Sequence, residues 1–500
     1  MKRKIGLFER IAKRAGYVKQ RQGGRGYNAA QYGRLYADWI LGGVKDREEN
    51  ENIKKDLETL RQRSIDLFHN NDWVKKFIKI CDRNIIGNEG LTLQPQSKDI
   101  NGKLDTAANK KIADAFWNWS RRPKNASVTG QQTFLDIQHL AIKTAAREGE
   151  ALVRKVFGFD NPFNFALQLI PPSLLPIGLN REETPNGHKI IMGIEYDQWD
   201  RPVKYFIKQK LGTPGATVID GNYYMALSAN EVVHLFIQEH INQARGVPWL
   251  HTAMHRLHML DGYEDAELVA SRNAAAQMGL LTSETGDEYE GDDTDDQGNV
   301  IIEAEPGTMR ELPPGMKLDM YKPEHPTAQF PTFVKMLMLA ISAGGDVAYS
   351  TLTGDLEKVN YSSIRAGLLE ERDAWRVLQT WFATHFCEPI FESWLKMALL
   401  TRQVDLPAAK FDKFSDAYWQ GRGWDWVDPL KDIAAITEAI KTGLTSWTKE
   451  AAKRGMDTEE LFAEIKADKD LAAKYGLVFD FEGKSPLLEK VINLEKDEEE

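Results

Sequence analysis

The residues with the most chemical potential are three histidines. His251, His255 and His258 stand at i, i+4 and i+7 in a stretch of helical periodicity, which turns three imidazoles onto one face where they could hold a metal ion. No glutamate completes an HExxH pattern and no further ligand is suggested, so packed or solvated rings are expected instead. Asp293-x-Asp295-x-Gln297-Gly298 opens like a calcium loop, but its twelfth position, which must supply a bidentate carboxylate, is Ala304. Gly483-Lys484-Ser485 ends like a phosphate-binding P-loop, yet Val478 stands where the first glycine is required and Pro486 interrupts the helix that should follow. Ser228, Ser362 and Ser363 have no His/Asp context, and no carboxylate cluster with a nearby lysine suggests a nuclease. Trp424 and Trp426, flanked by acids, could form a binding platform, but indoles anchoring a junction between domains are the expected use. The chain is therefore not expected to be an enzyme or to carry a cofactor or metal, and any ATP-driven step would belong to a partner.

The elements that position these residues fall into two halves. Helical spacing of Leu57, Leu60, Ile65, Leu67, Phe68, Val74, Phe77 and Ile78 predicts helices over 48–86, closed by Gly87 and Gly90, followed by a strand at 91–94. Helices at 110–119 and 133–148 precede a strand at 151–157, and short strands at 165–170, 193–197, 202–207 and 231–236 are separated by Pro, Gly, Asn and Asp turns. The pattern changes at Gly246-Val-Pro. A rod over 249–278, roughly 45 Å long at 1.5 Å per residue, leads into a turn-rich stretch over 279–326 with short strands near 300 and 316. A second rod over 329–342 ends at Gly344-Gly345, a loop covers 352–363, and a long helix runs over 363–400. A compact helical unit over 424–473 and the acidic end Glu495-Lys-Asp-Glu-Glu-Glu close the chain. The fold class is α+β.

Composition excludes several classes. Hydrophobic residues at 42% with 13 Trp in 500 residues describe a globular chain, and two cysteines cannot build a disulfide framework. The first residues lack the apolar run of a signal peptide, and no stretch approaches ~20 apolar residues, so no membrane is expected. The formal net charge is −10, a poor basis for wrapping DNA through phosphate neutralisation. The charge is segregated, however. Lys2, Arg3, Lys4, Arg10, Lys13, Arg14, Lys19, Arg21 and Arg25 face the single acid Glu9, and a solvated basic arm over 1–26 is expected. A long rod needs neighbours to cover its apolar stripe, and neighbouring copies in a ring would provide them.

Taken in order, Arg61-Gln-Arg-Ser-Ile-Asp-Leu-Phe-His-Asn-Asn71, Asn84-Ile-Ile-Gly-Asn-Glu-Gly-Leu-Thr-Leu93, Gly149-Glu150, Gly193-Ile-Glu-Tyr-Asp197, Arg201-Pro-Val-Lys-Tyr205, His234-Leu-Phe236, Gln243-Ala-Arg-Gly-Val-Pro248, Thr353-Gly-Asp355, Asn360-Tyr-Ser-Ser-Ile-Arg365 and Trp426-Val-Asp-Pro429 resemble the lambda-like portal family of tailed phages, over about residues 27–473. The resemblance implies an elongated subunit assembled as a ring of about twelve around a channel. It implies an α+β wing (27–246), a stem of two helices (247–278 and 327–345), a turn-rich clip with short strands (279–326), a tunnel-loop region (346–363), a long helix returning to the wing (364–423), a helical crown (424–475) and an acidic tail (476–500).

On that resemblance the chain is expected in the virion, at one capsid vertex, and in the host cytoplasm during assembly. Its expected partners are double-stranded DNA passing without sequence preference, the terminase large subunit, major capsid or scaffolding protein, and head-tail connector proteins. Asp355 and Glu357 would help form a repulsive acidic wall around the duplex. Lys358 and Asn360, beside Tyr361, Ser362 and Ser363, would make weak phosphate contacts. Glu290, Asp292, Asp293, Asp295 and Asp296 would form a charged docking surface for the motor. The competing expectations are a nuclease or terminase-like ATPase, which needs a P-loop or carboxylate cluster, and a capsid or tail protein with no DNA channel.

Overall fold

The computed structural model describes residues 49–210, 216–276, 280–283, 293–294, 300–301, 316–319, 329–357, 361–424, 429–452 and 458–476. Helices α1 (Glu49–Asn70) and α2 (Asp72–Ile85) are divided at Asn71, whose side-chain oxygen accepts the Val74 N–H at 3.0 Å. An asparagine at this position satisfies a donor that the first helical turn leaves open. Strand β1 (Thr92–Pro95) and helix α3 (Thr106–Ser120) follow, and α4 (Phe134–Glu148) starts with a reciprocal cap between Thr133 and Asp136.

The strands of residues 150–236, β2 to β9, form two antiparallel sheets. In the smaller, β2 (Glu150–Phe157) lies between β3 (Phe165–Ile170) and β9 (Val232–Phe236). In the larger the order is β4 (Lys189–Ile191), β5 (Ile194–Tyr196), β6 (Pro202–Lys208), β8 (Asn222–Ser228) and β7 (Thr217–Ile219). Strands β4, β7 and β8 were not anticipated. β8 opens on an Asp220-Gly221-Asn222 turn and holds Met225, Ala226 and Leu227, which are not strong strand formers; its pairing with β6 from Lys204↔Ser228 to Lys208↔Tyr224 decides its conformation.

Helix α5 (Met254–Ala276) begins five residues later than its periodicity suggested, because 248–253 are occupied by turns in which the His251 and Ala253 N–H groups bond Pro248 and Leu250. The chain returns through α6 (Phe330–Gly344), antiparallel to α5: Tyr263 packs on Phe330 and Phe333, while Gly344 lies against Thr252 and Ala253. Between them β10 (Leu280–Ser283) pairs with β13 (Met316–Asp319), and β11 (Asp293–Thr294) with β12 (Val300–Ile301).

A short helix α7 (Tyr349–Thr353) precedes α8 (Tyr361–Phe382), which starts two residues earlier than the loop reading placed it. The single helix expected to Leu400 is interrupted by a π-helical turn at Ala383–Cys387 before α9 (Glu388–Leu400). Pro389 lacks the N–H that a continuous α-helix would donate to residue 385, and the backbone widens just before it. Strand β14 (Ala417–Gln420), also unanticipated, pairs with β1 in the register Thr92↔Gln420 to Pro95↔Ala417. Helices α10 (Pro429–Lys441), α11 (Trp447–Ala452) and α12 (Thr458–Lys474) complete the described chain.

One large core joins α1–α9, β1, β14 and the smaller sheet, while the larger sheet packs over separate clusters. Phe116 sits edge-on to Phe134, Phe391, Trp394 and Trp419, so α3, α4, α9 and β14 meet in one aromatic cluster. Trp119, fully buried, donates its indole N–H to the Phe165 carbonyl at 3.2 Å, and so pins β3 to the cluster. Leu250, Leu257, Met338 and Ile341 extend the same core into the bases of α5 and α6. No helix among the described residues is long and apolar enough to cross a membrane.

Candidate functional site

The segment between α7 and α8 is held at its root by a small network. Thr353 caps back onto the Tyr349 carbonyl at 2.7 Å, and Gly354, at φ 81°, turns the chain out of α7. Asp355 then accepts from the Tyr349 hydroxyl at 3.1 Å, the Lys335 ammonium at 3.4 Å and the Glu357 N–H at 3.1 Å. These bonds, first the backbone N–H of Glu357 and then Tyr349, hold the Asp355 carboxyl below its ordinary pKa. Thr351 donates to Glu371 at 2.6 Å, and Glu371 also accepts the Trp375 indole N–H at 3.3 Å, so α7 is fastened to α8. Lys335 ties the same root to α6.

Of the residues singled out in sequence, the structure brings Asp355 and Glu357 together at this root. Lys358 and Asn360 lie outside the described residues, and Tyr361, Ser362 and Ser363 form the first turn of α8. Asp293 lies on β11, while Glu290, Asp292, Asp295 and Asp296 are outside the described residues, as are the basic arm, Gly483-Lys484-Ser485, Trp426 and the acidic end. His251 Nδ1 lies 3.0 Å from the Pro248 carbonyl, and His255 and His258 are exposed. Trp424 anchors a junction, donating to Asn84 Oδ1 at 3.2 Å.

Sequence reasoning missed a second cluster, which lies beneath the sheets. Glu150, wholly buried at the start of β2, takes both oxygens to the Arg245 Nε at 2.9 Å, pairs with Arg61 at 2.6 Å and His234 at 3.1 Å, and accepts the Gly246 N–H at 3.1 Å. Arg245 spends its remaining donors on the Met192 carbonyl at 2.7 Å and that of Leu175 at 3.2 Å. Burial opposes ionisation of Glu150, but Arg245, Arg61 and His234 together hold its pKa well below the ordinary carboxylate range. Burial, opposed by Glu150, keeps the His234 imidazole below its ordinary value. The backbones of Gly149 and Gly246 touch here: a Cβ on Gly149 would stand 2.4 Å from the Val247 carbonyl carbon, and one on Gly246 would stand 2.1 Å from the Gly149 oxygen. Gly149 also has φ 92°, which an L side chain resists. The legible signal was a glutamate opening an apolar strand and an arginine set between Ala244 and Gly246.

The family model for the phage portal protein, lambda family, matches residues 32–379 of this chain. The chain belongs to the lambda family of phage portal proteins. The probable portal protein of Halomonas phage phiHAP-1 is 32% identical over 482 residues, covering 95% of this chain and 92% of that protein. Portal protein B of Escherichia phage lambda is 22% identical over 445 residues, covering 80% and 81%. Among solved structures, the neck of an empty gene transfer agent particle overlaps 84% of this chain and 98% of that chain with a TM-score of 0.43 and 12% identity. The family is structural. Its members are portals of tailed phages, which serve genome packaging at a capsid vertex, and that is the function of this chain. The competing reading as a nuclease or ATPase and that as a tail or shell protein without a channel both yield to it.

Proposed function

We propose that copies of this chain associate head to tail into a closed ring of about twelve, whose central channel passes double-stranded DNA without regard to sequence. The observation that carries this is the surface of the α5–α6 pair. Although the two helices pack on each other, Leu268 and Met336 are 61% and 63% exposed, and Met259, Val269, Phe333 and Leu339 are exposed beside them. Met259 and Val269 stand on the side of α5 turned away from Ala253, Leu257 and Leu260, so intramolecular packing leaves them open. A neighbouring copy on each side covers both faces.

In this arrangement the α+β first half with α8 and α9 forms the wing, α5 and α6 form the stem, residues 279–326 form the clip, and 424–475 form the crown. The clip, repeated around the ring, receives the terminase large subunit during packaging and connector proteins afterwards; the wing faces capsid or scaffolding protein. Residues 353–363 form the tunnel loop, with Asp355 and Glu357 keeping the duplex centred and Lys358 and Asn360 touching its phosphates. The ring is assembled in the host cytoplasm and retained in the virion.

Negative-stain microscopy with mass measurement of the purified protein tests the reading. Closed rings with an open centre are expected, and Leu268→Glu with Met336→Glu should leave monomers of unchanged fold. A wild-type protein that remains a monomer at every concentration tested would defeat the ring.

A further inference from the structure

The outer face of α2 carries Lys75, Lys76, Lys79 and Arg83. Steps of four residues set Lys75, Lys79 and Arg83 in one row along the helix, with Lys76 beside it. Lys75, Lys79 and Arg83 are exposed and Lys76 is half-buried, while Val74, Phe77, Ile78 and Cys81 turn into the core. Like charges one turn apart destabilise a helix, so the row is not explained by α2's own stability. No carboxylate among the described residues pairs with any of the four.

The row lines a cleft of about 480 Å³ together with Thr351 and Arg422, in which Asp72 is the one acid and Ile80 the one apolar residue. Arg422 is held across its far wall by donating to the Arg83 carbonyl at 2.8 Å. Beyond it the guanidinium groups of Arg422, Arg376 and Arg372 surround the Trp424 ring at 5.8, 5.6 and 6.0 Å, Arg376 also pairing with Asp373. Lys76 reaches the root of the 354–357 segment: a Cβ on Gly354 would lie 3.6 Å from its ammonium nitrogen.

We propose that this cleft holds the phosphate backbone of a DNA duplex, and that α2 rather than the loop alone supplies the cations at this level of the channel. The inference rests on the channel reading above. A cleft lined by five cations and one acid favours an anion over a neutral ligand. A straight row of cations, about 6 Å apart, suits a polymer that presents closely and regularly spaced negative charge along its whole length, as a duplex does. The exposure of the row keeps each contact weak and solvated, as a duplex that must slide requires.

The test is fluorescence anisotropy of a labelled mixed-sequence duplex titrated with full-length protein at several salt concentrations. Lys75→Gln/Lys79→Gln/Arg83→Gln should lower affinity at 50 mM salt at least tenfold and reduce the salt slope by about 2.7, with assembly unchanged. Removing equal charge at exposed Lys103, Lys110 and Lys124 should do neither. Equal affinity and slope in the cleft variant would overturn the proposal. So would loss of rings with duplex binding intact, which would give the cleft to an acidic surface of the next copy. If the variant does not fold, acetylation of the wild type decides: duplex must protect Lys75, Lys76 and Lys79, and their continued reactivity overturns the assignment. Wild type that never forms rings would defeat the channel reading separately, because the protection experiment still reads the cleft.

Discussion

The buried cluster around Glu150 and the basic row of α2 use the same kinds of side chain for opposite ends. In the first, one carboxylate faces two guanidiniums and an imidazole, every charge is out of water, and each polar atom of Glu150 is matched. In the second, four cations share a cleft whose one acid, Asp72, forms no ion pair with them, and most remain in water. Buried charge must be compensated within the chain or the fold fails, whereas exposed charge of one sign can be left uncompensated for something outside the chain. The first arrangement is therefore read as architecture and the second as an interface.

Breaking the compensated cluster should have the largest effect. Glu150→Ala strands Arg245 and Arg61 below the sheets and should cost about 3–5 kcal/mol in urea unfolding; a loss under 1 kcal/mol would show that water enters the cluster. Gly149→Ala comes next, at about 2–4 kcal/mol, since the new Cβ meets the backbone of Val247 at a left-handed φ.

The acid limb of the stability curve sharpens the comparison further. Glu150 is ionised in the fold with a depressed pKa, so its contribution is complete above its unfolded value and fades only in strong acid. His234 is held by burial below the ordinary imidazole pKa of about 6.5. Below that pH the unfolded chain takes up a proton that the folded chain refuses, so stability falls as pH drops through the ordinary imidazole range. His234→Gln should flatten that part of a melting-temperature profile; a variant with the wild-type slope would place the titration elsewhere. The smallest effect belongs to α2. Replacing Lys75 and Lys79 by Gln relieves like-charge repulsion and should raise stability by a few tenths of a kcal/mol at low salt, with the gain vanishing at high salt. A clear loss of stability instead would mean that the row serves the fold.

Much of this fold was legible where local pattern and tertiary demand agree. Thr133 and Asp136 announce the start of α4, and the apolar spacing of α1 and α2 survives packing intact. The failures have physical causes. β14 is a four-residue segment whose structure is made by pairing with the anticipated β1 across the chain, and β8 is shaped by β6. The π turn before Pro389 keeps helical periodicity on either side, so it is invisible to a periodicity argument. At the site, Asp355 was found through the Thr353-Gly-Asp355 motif, but its partners Lys335 and Tyr349 are set by how α6 and α7 pack. The row on α2 was readable as spacing and passed over, because charged faces of helices are commonly solvent faces.

The pairing of β1 with β14 also sets a clock. Thr92 and Gln420 are 328 positions apart, and at a synthesis rate of ~5–20 residues per second roughly 15–65 s separate the appearance of one strand from that of the other. Trp419 joins Phe116 and Phe391 only at the end of that interval. The first half of the chain therefore waits with one flank of its aromatic core unsealed until the two rods and their insertion have already left the ribosome. Until β14 arrives, that open apolar flank is where a nascent copy is most exposed to aggregation.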